Sequence, residues 1–121
     1  MVTNAQSDEP LTDTSFLEIN NEEECVPYDI PIKETRRAAS TSLKGSCQDA
    51  KVNAEGACQN AMVSPENNCV KPCKKVPGKC SEGSIIQQTK VRPGSVLESE
   101  GFTVGHWYCA AESKGVIHCV K

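Results

Sequence analysis

Small side chains recur at helical spacing in the middle of the chain. Cys47, Ala50, Ala54, Cys58 and Ala61 stand at i, i+3, i+7, i+11 and i+14, which is one stripe along a single helix face. The surrounding CQDAKVNAEGACQNAMV is rich in good helix formers and carries one costly glycine, Gly56. Ser46-Cys-Gln-Asp49 has the capping-box form, with Asp a poorer third partner than Glu. Ser64-Pro65 then stops the element. The pattern predicts a helix over about 47–63. A stripe of Cys and Ala lets a neighbour approach closely and turns both thiols toward it, so disulfides are expected to tie this helix down at both ends.

The period changes in the C-terminal third. Ser84-Ile-Ile-Gln-Gln-Thr-Lys-Val91 mixes β-branched and polar residues, as a strand does, and Arg92-Pro93-Gly94-Ser95 has a type II turn signature. Gly101–Ala110 and Val116–Lys121 flank Ser113-Lys114-Gly115, a three-residue hairpin loop with glycine last. That register sets Cys109 opposite Cys119; the two either bridge each other or both reach the helix. Upstream, Pro27 and Pro31 favour an extended course through CVPYDIPIKETRRAASTSLKGS. The expected fold class is α+β: a small disulfide-rich single domain over 25–121, one helix on a small antiparallel sheet, with 25–45 extended or a pro-segment. No internal repeat is present.

Composition sharpens this picture. The chain has 121 residues and five aromatics, Phe16, Tyr28, Phe102, Trp107 and Tyr108, so its apolar core is modest and covalent help is expected. Eight cysteines supply it: Cys25, Cys47, Cys58, Cys69, Cys73, Cys80, Cys109 and Cys119. An even count in so short a chain fits four bridges and an oxidising compartment, hence a secreted, extracellular protein. The opening MVTNAQSDEP has neither the basic nor the apolar region of a leader, and no apolar run could span a membrane. We therefore expect a mature sequence, preceded by Met1, whose leader is absent. The competing expectation is a cytosolic protein with eight free thiols.

Charge is unevenly spread. Asp8, Glu9, Asp13, Glu18, Glu22, Glu23 and Glu24 leave residues 1–24 with seven acids and no base, while the remainder carries nine of the 16 acids and all 13 bases. Such an acidic segment is expected to be a disordered tail. It is either a solubilising tail or a contact or pro-segment, in which Phe16, Leu17 and Ile19 of TSFLEINNEEE could seat in an apolar groove with a basic rim. Arg36-Arg37 has the look of a dibasic processing site. Cutting there would part Cys25 from seven other cysteines, leaving it to bridge across the cut, pair between molecules or stay free.

Candidate chemistry follows from the cysteine and lysine spacing. Asn68–Cys80, NCVKPCKKVPGKC, contains the zinc-ligand types, but only Cys69 and Cys73 form a knuckle, and His106 and His118 are too far apart for the usual pair. No C-x-x-C marks a redox thiol, and no nucleophile elbow, H-E-x-x-H helix or phosphate loop appears. Glu98 and Glu100 alternate along a possible strand and would share one face. No catalytic residue, metal site or cofactor is therefore assigned.

Lys71, Lys74, Lys75 and Lys79 sit in a loop clamped by three cysteines. Such a loop loses little entropy on binding and offers point charges to anionic partners; the bland alternative is solvated surface. Gly105-His106-Trp107-Tyr108 is the other candidate contact, because Trp and Tyr are typical interface anchors. Alternation puts Trp107 on the Cys109 face, so that if Cys109 points inward Trp107 is core and His106 and Tyr108 are exposed.

Hydrophobins, lipid-transfer proteins and whey-acidic domains need an adjacent Cys-Cys pair that this chain lacks, and lysozyme-type and CFEM-type intervals also differ. In general style, the short cysteine-rich chain with its acidic leader and dibasic site resembles microbial effectors, venom proteins and parasite salivary proteins, a resemblance of class that carries no residue roles. The expectation is a secreted, non-enzymatic, monomeric protein-binding protein acting outside its own cell as effector (a virulence role), inhibitor or toxin. An anionic glycan or membrane surface is the other partner considered; a mildly basic body with few aromatics speaks against nucleic acid. The alternatives are a small secreted hydrolase using dispersed carboxylates or His106, and a membrane-active antimicrobial protein led by the lysines.

Overall fold

Pro27 and Pro31 do favour an extended course: β1 runs through Tyr28–Ser40. The computed structural model describes residues 24–121, and the acidic segment expected to be disordered otherwise lies outside them. After β1 come α1 (Leu43–Val63), a 3-10 turn (Pro65–Asn67), β2 (Lys74–Pro77), β3 (Ser84–Lys90), α2 (Val96–Ser99) and β4 (Trp107–Val120). The strand order is β1-β4-β2, and β3 also pairs with β4. Pro31 stands in a strand that ends that order, the edge position to which proline in a sheet is largely confined. The α+β class, with one main helix on an antiparallel sheet and four disulfides, is as expected.

The chain divides into two compact units. The first takes the chain up to Ile30 together with Asn68–Val76 and Ile117–Lys121; the second takes Pro31–Asn67 and Pro77–Val116. Each holds two bridges: Cys25–Cys73 and Cys69–Cys119 in the first, Cys47–Cys109 and Cys58–Cys80 in the second. Disulfides thus pin α1 near both ends, as its stripe of small residues implied.

Helix α1 starts earlier than expected. Its N-cap is Ser42, whose hydroxyl accepts from the Gly45 N–H at 3.0 Å. A cap needs only that oxygen in reach of the third N–H, and the next residue, Leu43, packs against the core and makes the added turn worthwhile. Ser46 lies inside the helix, fully buried, and donates to the Leu43 carbonyl at 3.0 Å. The C-terminus falls where Pro65 places it: Ser64 is extended, with φ −69° and ψ 138°. The buried face is Ser46, Cys47, Ala50, Ala54, Cys58 and Met62, with Met62 closing the stripe in place of Ala61.

The expected hairpin at Ser113-Lys114-Gly115 is replaced by one continuous strand, β4. The segment before β3 supplies the reason. Ser81 N–H donates to the Lys114 carbonyl at 2.7 Å, Gly78 N–H to that of Val116 at 2.9 Å, and the buried Ser113 hydroxyl to that of Ser81 at 2.7 Å. With its backbone satisfied there, residues 113–116 have no need to turn. Gly115 supplies space rather than a left-handed backbone: a Cβ there would run into the Met62 methyl and lie 3.2 Å from the Lys79 carbonyl oxygen. The Arg92–Ser95 turn is present, with Gly94 at φ +76° and Ser95 N–H donating to Arg92 O at 3.2 Å.

Strands β3 and β4 are antiparallel, with Gln88 opposite Cys109, Thr89 opposite Tyr108 and an irregularity between Ile85 and Gln87. Both faces of β4 are covered. Cys109 and Ala111 pack with Cys47, Ala50 and Ala54 of α1, while Tyr108 and Ala110 pack with Val91, Leu97 and Phe102.

Candidate binding surface

Double coverage of β4 corrects the expectation for its aromatics. Tyr108 is buried, 2% exposed, with its ring edge-on to Phe102 at 5.1 Å between centroids. It is therefore no contact residue. Alternation predicts exposure only when one face of a strand meets water, and here the α2 segment covers the second face. Trp107 is half-buried at the start of β4, with the Lys90 ammonium 5.4 Å from its ring centre. His106 is half-buried in the preceding turn, where its carbonyl accepts from Val91 N–H at 2.8 Å.

The two carboxylates expected on one strand face lie elsewhere. Glu98 belongs to α2 and accepts from the Gly94 N–H at 2.7 Å. Glu100 follows α2 and accepts from Arg37 Nη1 at 2.7 Å. That hydrogen bond is the main cause of a raised Arg37 pKa, and the guanidinium also stands 5.2 Å from the Phe102 ring centre. The dibasic pair is thus part of β1, with Arg37 paired and Arg36 bonded to Glu34 at 3.1 Å. A dibasic-specific protease is expected to leave the folded protein intact and to cut it once reduced and denatured. Any folded chain cut after Arg37 should stay a single non-reduced species, 18 Da heavier, because Cys25–Cys73 spans the cut; intact mass before and after reduction checks both.

In the first unit the lysine loop is anchored as expected. Cys69 is bonded to Cys119 and Cys73 to Cys25. Val70 N–H donates to the Tyr28 hydroxyl at 2.7 Å, and Cys73 N–H to the Val70 carbonyl at 2.9 Å, across the cis Lys71–Pro72 bond. Lys71 and Lys74 are exposed, while Lys75 is half-buried and donates to Asn68 Oδ1 at 3.2 Å. Lys79, exposed, belongs to the second unit. The sequence pattern did not reveal what accompanies the lysines: Val26 and Val70 stand 80% and 70% exposed, and a cavity of about 280 Å³ is lined by Glu24, Val26, Tyr28, Val70, Lys71, Pro72 and Cys73. Nothing local to Val26 or Val70 in the sequence says that these valines face water.

His118 Nδ1 lies 2.9 Å from Asp29 Oδ1, both side chains half or more exposed. Every cysteine is oxidised, so no thiolate is available for metal or nucleophilic chemistry. A second groove, unforeseen from the sequence, runs between α1 and β3 with a volume of about 490 Å³.

No family model, curated protein or solved structure matches this chain. Four disulfides fit a small extracellular cysteine-rich protein, and no helix among the described residues is long and apolar enough to cross a membrane.

Proposed function

We propose that this is a secreted, non-enzymatic binding protein that engages a protein outside its own cell, as an effector, inhibitor or toxin does. The observation that carries the reading is the first unit's surface: Val26 and Val70, both largely exposed, beside Lys71 and Lys74 on a loop fixed by two disulfides. Exposed apolar side chains rimmed by charge mark interaction sites, and fixing them in advance reduces the ordering cost of association. The valines supply contact area and the lysines steer an acidic partner.

The test compares wild-type protein with V70D and with K71E/K74E against immobilised extracellular proteins, heparin and anionic vesicles. A protein ligand held by the wild type should bind about tenfold more weakly to V70D, about 1.4 kcal/mol. K71E/K74E should slow association and flatten its salt dependence. Salt-sensitive vesicle leakage without a protein ligand would favour the membrane-active alternative. A hydrolytic activity lost in H118A or D29N with the fold intact would overturn the reading in favour of an enzyme.

A further inference from the structure

Positive charge in the first unit gathers where the N-terminal segment joins the fold. Its described residues include Lys71, Lys74, Lys75 and Lys121 against two acids, Glu24 and Asp29. Asp29 is engaged by His118 Nδ1 at 2.9 Å, and Lys75 donates to Asn68. Lys71, Lys74 and Lys121 are exposed and in no ion pair among the described residues. Glu24 sits in the middle of them. It is exposed and lines two cavities, one with Val26, Tyr28, Val70 and Lys71, the other, of about 250 Å³, with Cys25, Pro72 and Lys121. The next residue, Cys25, is buried and bonded to Cys73, so the point of attachment is fixed covalently to the lysine loop.

The sequence upstream of Glu24 is the chemical complement of this surface. Residues 1–23, outside the described residues, hold six acids, no base and one aromatic, Phe16, with Leu17 beside it. An extended chain gains at most about 3.5 Å per residue, so Glu22 and Glu23 stay within about 7 Å of Glu24 whatever course the segment takes. That is inside the screening length of roughly 8 Å at physiological salt. Connectivity alone therefore keeps two carboxylates in the field of the lysines. Phe16, eight residues from Glu24, has a reach of up to about 28 Å, ample for a return onto Val26 and Val70. Attachment also makes the contact intramolecular, at an effective concentration on the order of millimolar. The cavity beside the two valines, about 280 Å³, falls below the roughly 300–1,000 Å³ of small-molecule sites and suits one inserted side chain.

We propose that residues 14–23 fold back on this surface as an autoinhibitory cover in cis. Glu22 and Glu23 face Lys71, Lys74 and Lys121, Phe16 and Leu17 rest on Val26 and Val70, and an outside partner must displace them. The inhibitory role rests on the binding function proposed above for this surface; the contact itself does not. Spectra of the ¹⁵N-labelled full chain test it without any partner. E22Q/E23Q and F16S/L17S are each expected to move the amides of Val70, Lys71, Cys73 and Lys74. Those of Cys47–Val63 should stay in place, which reports an intact second unit. Added salt that shortens the screening length from roughly 30 Å to about 3 Å should carry the wild-type amides toward their E22Q/E23Q positions. The peptide TSFLEINNEEE, identical to residues 14–24, should bind F16S/L17S/E22Q/E23Q about tenfold more tightly than the wild type, whose own segment competes. Loop amides that neither variant moves would overturn the proposal, as would equal peptide affinity for the two proteins. Wild-type positions that change on dilution would overturn it too, because the cover would then come from a second copy. Displaced amides in a protein for which no outside ligand is found would support the cover and count against the binding reading alone.

Discussion

Replacing Cys47 and Cys109 together by alanine is expected to cost about 4 kcal/mol, because the bridge closes a span of 62 residues and so removes much chain entropy from the unfolded state. Against a total of roughly 5–15 kcal/mol for a domain, that is a large fraction. The packing argument adds to the entropic one. The largest fully buried side chains are Ile117, Val91, Cys58, Cys109, Cys119, Ser46 and Ser113. No Leu, Phe or Trp is among them, so sulfur occupies positions that long apolar chains fill elsewhere. The helix rests on β4 through Cys47, Ala50 and Ala54 against Cys109 and Ala111, and without the sulfurs that contact is alanine on alanine. Urea unfolding of C47A/C109A, followed at the helix CD band, should show a much lower midpoint or no folded baseline. C58A/C80A, which opens a span of 22, should lose about 3 kcal/mol. A loss below about 1 kcal/mol in C47A/C109A would mean that the unfolded chain is already constrained there and that α1 holds its place without sulfur.

The same chemistry explains what was legible in the sequence. Helix α1 was visible because its stripe has one partner and hence one period, and β3 because its turn is written in Arg92-Pro93-Gly94. Strand β4 was misread for two separate reasons. Its Ser-Lys-Gly looks like a loop, yet the hydrogen bonds that keep it extended come from residues 78 and 81, a non-local fact. Its alternation loses meaning once α2 and Phe102 cover the second face, which is why Tyr108 is core. The lysine loop was legible as a clamped, charged segment. Its valines were not, since Val26 and Val70 are far apart in sequence and are both held near Tyr28 by the Cys25–Cys73 bridge and the Val70–Tyr28 hydrogen bond. The α1–β3 groove could not be read locally at all: it depends on how α1 packs beside β3.

Gly83 and Gly56 are expected to respond to alanine with opposite signs. A Cβ on Gly83 would lie 2.7 Å from both Cα and Cβ of Lys51 and 2.9 Å from its carbonyl oxygen. Those atoms belong to the backbone of α1 or sit directly on it, so no rotamer change relieves the clash; the helix or the strand must move. Disulfides at Cys47 and Cys58 flank that point on the helix and resist the shift. Movement would also lengthen the bond from Gly83 N–H to Glu55 Oε2, now 2.6 Å. Overpacking of this kind costs about 1–3 kcal/mol, and we expect G83A near the upper end, lowering Tm by about 10 °C or more. Gly56 sits within α1 with nothing inside 4 Å of its missing Cβ, so G56A should raise stability by up to about 1 kcal/mol through helix propensity alone. Thermal unfolding of the two variants side by side decides the matter. A G83A protein as stable as the wild type would show that α1 and the residues before β3 are not in close contact.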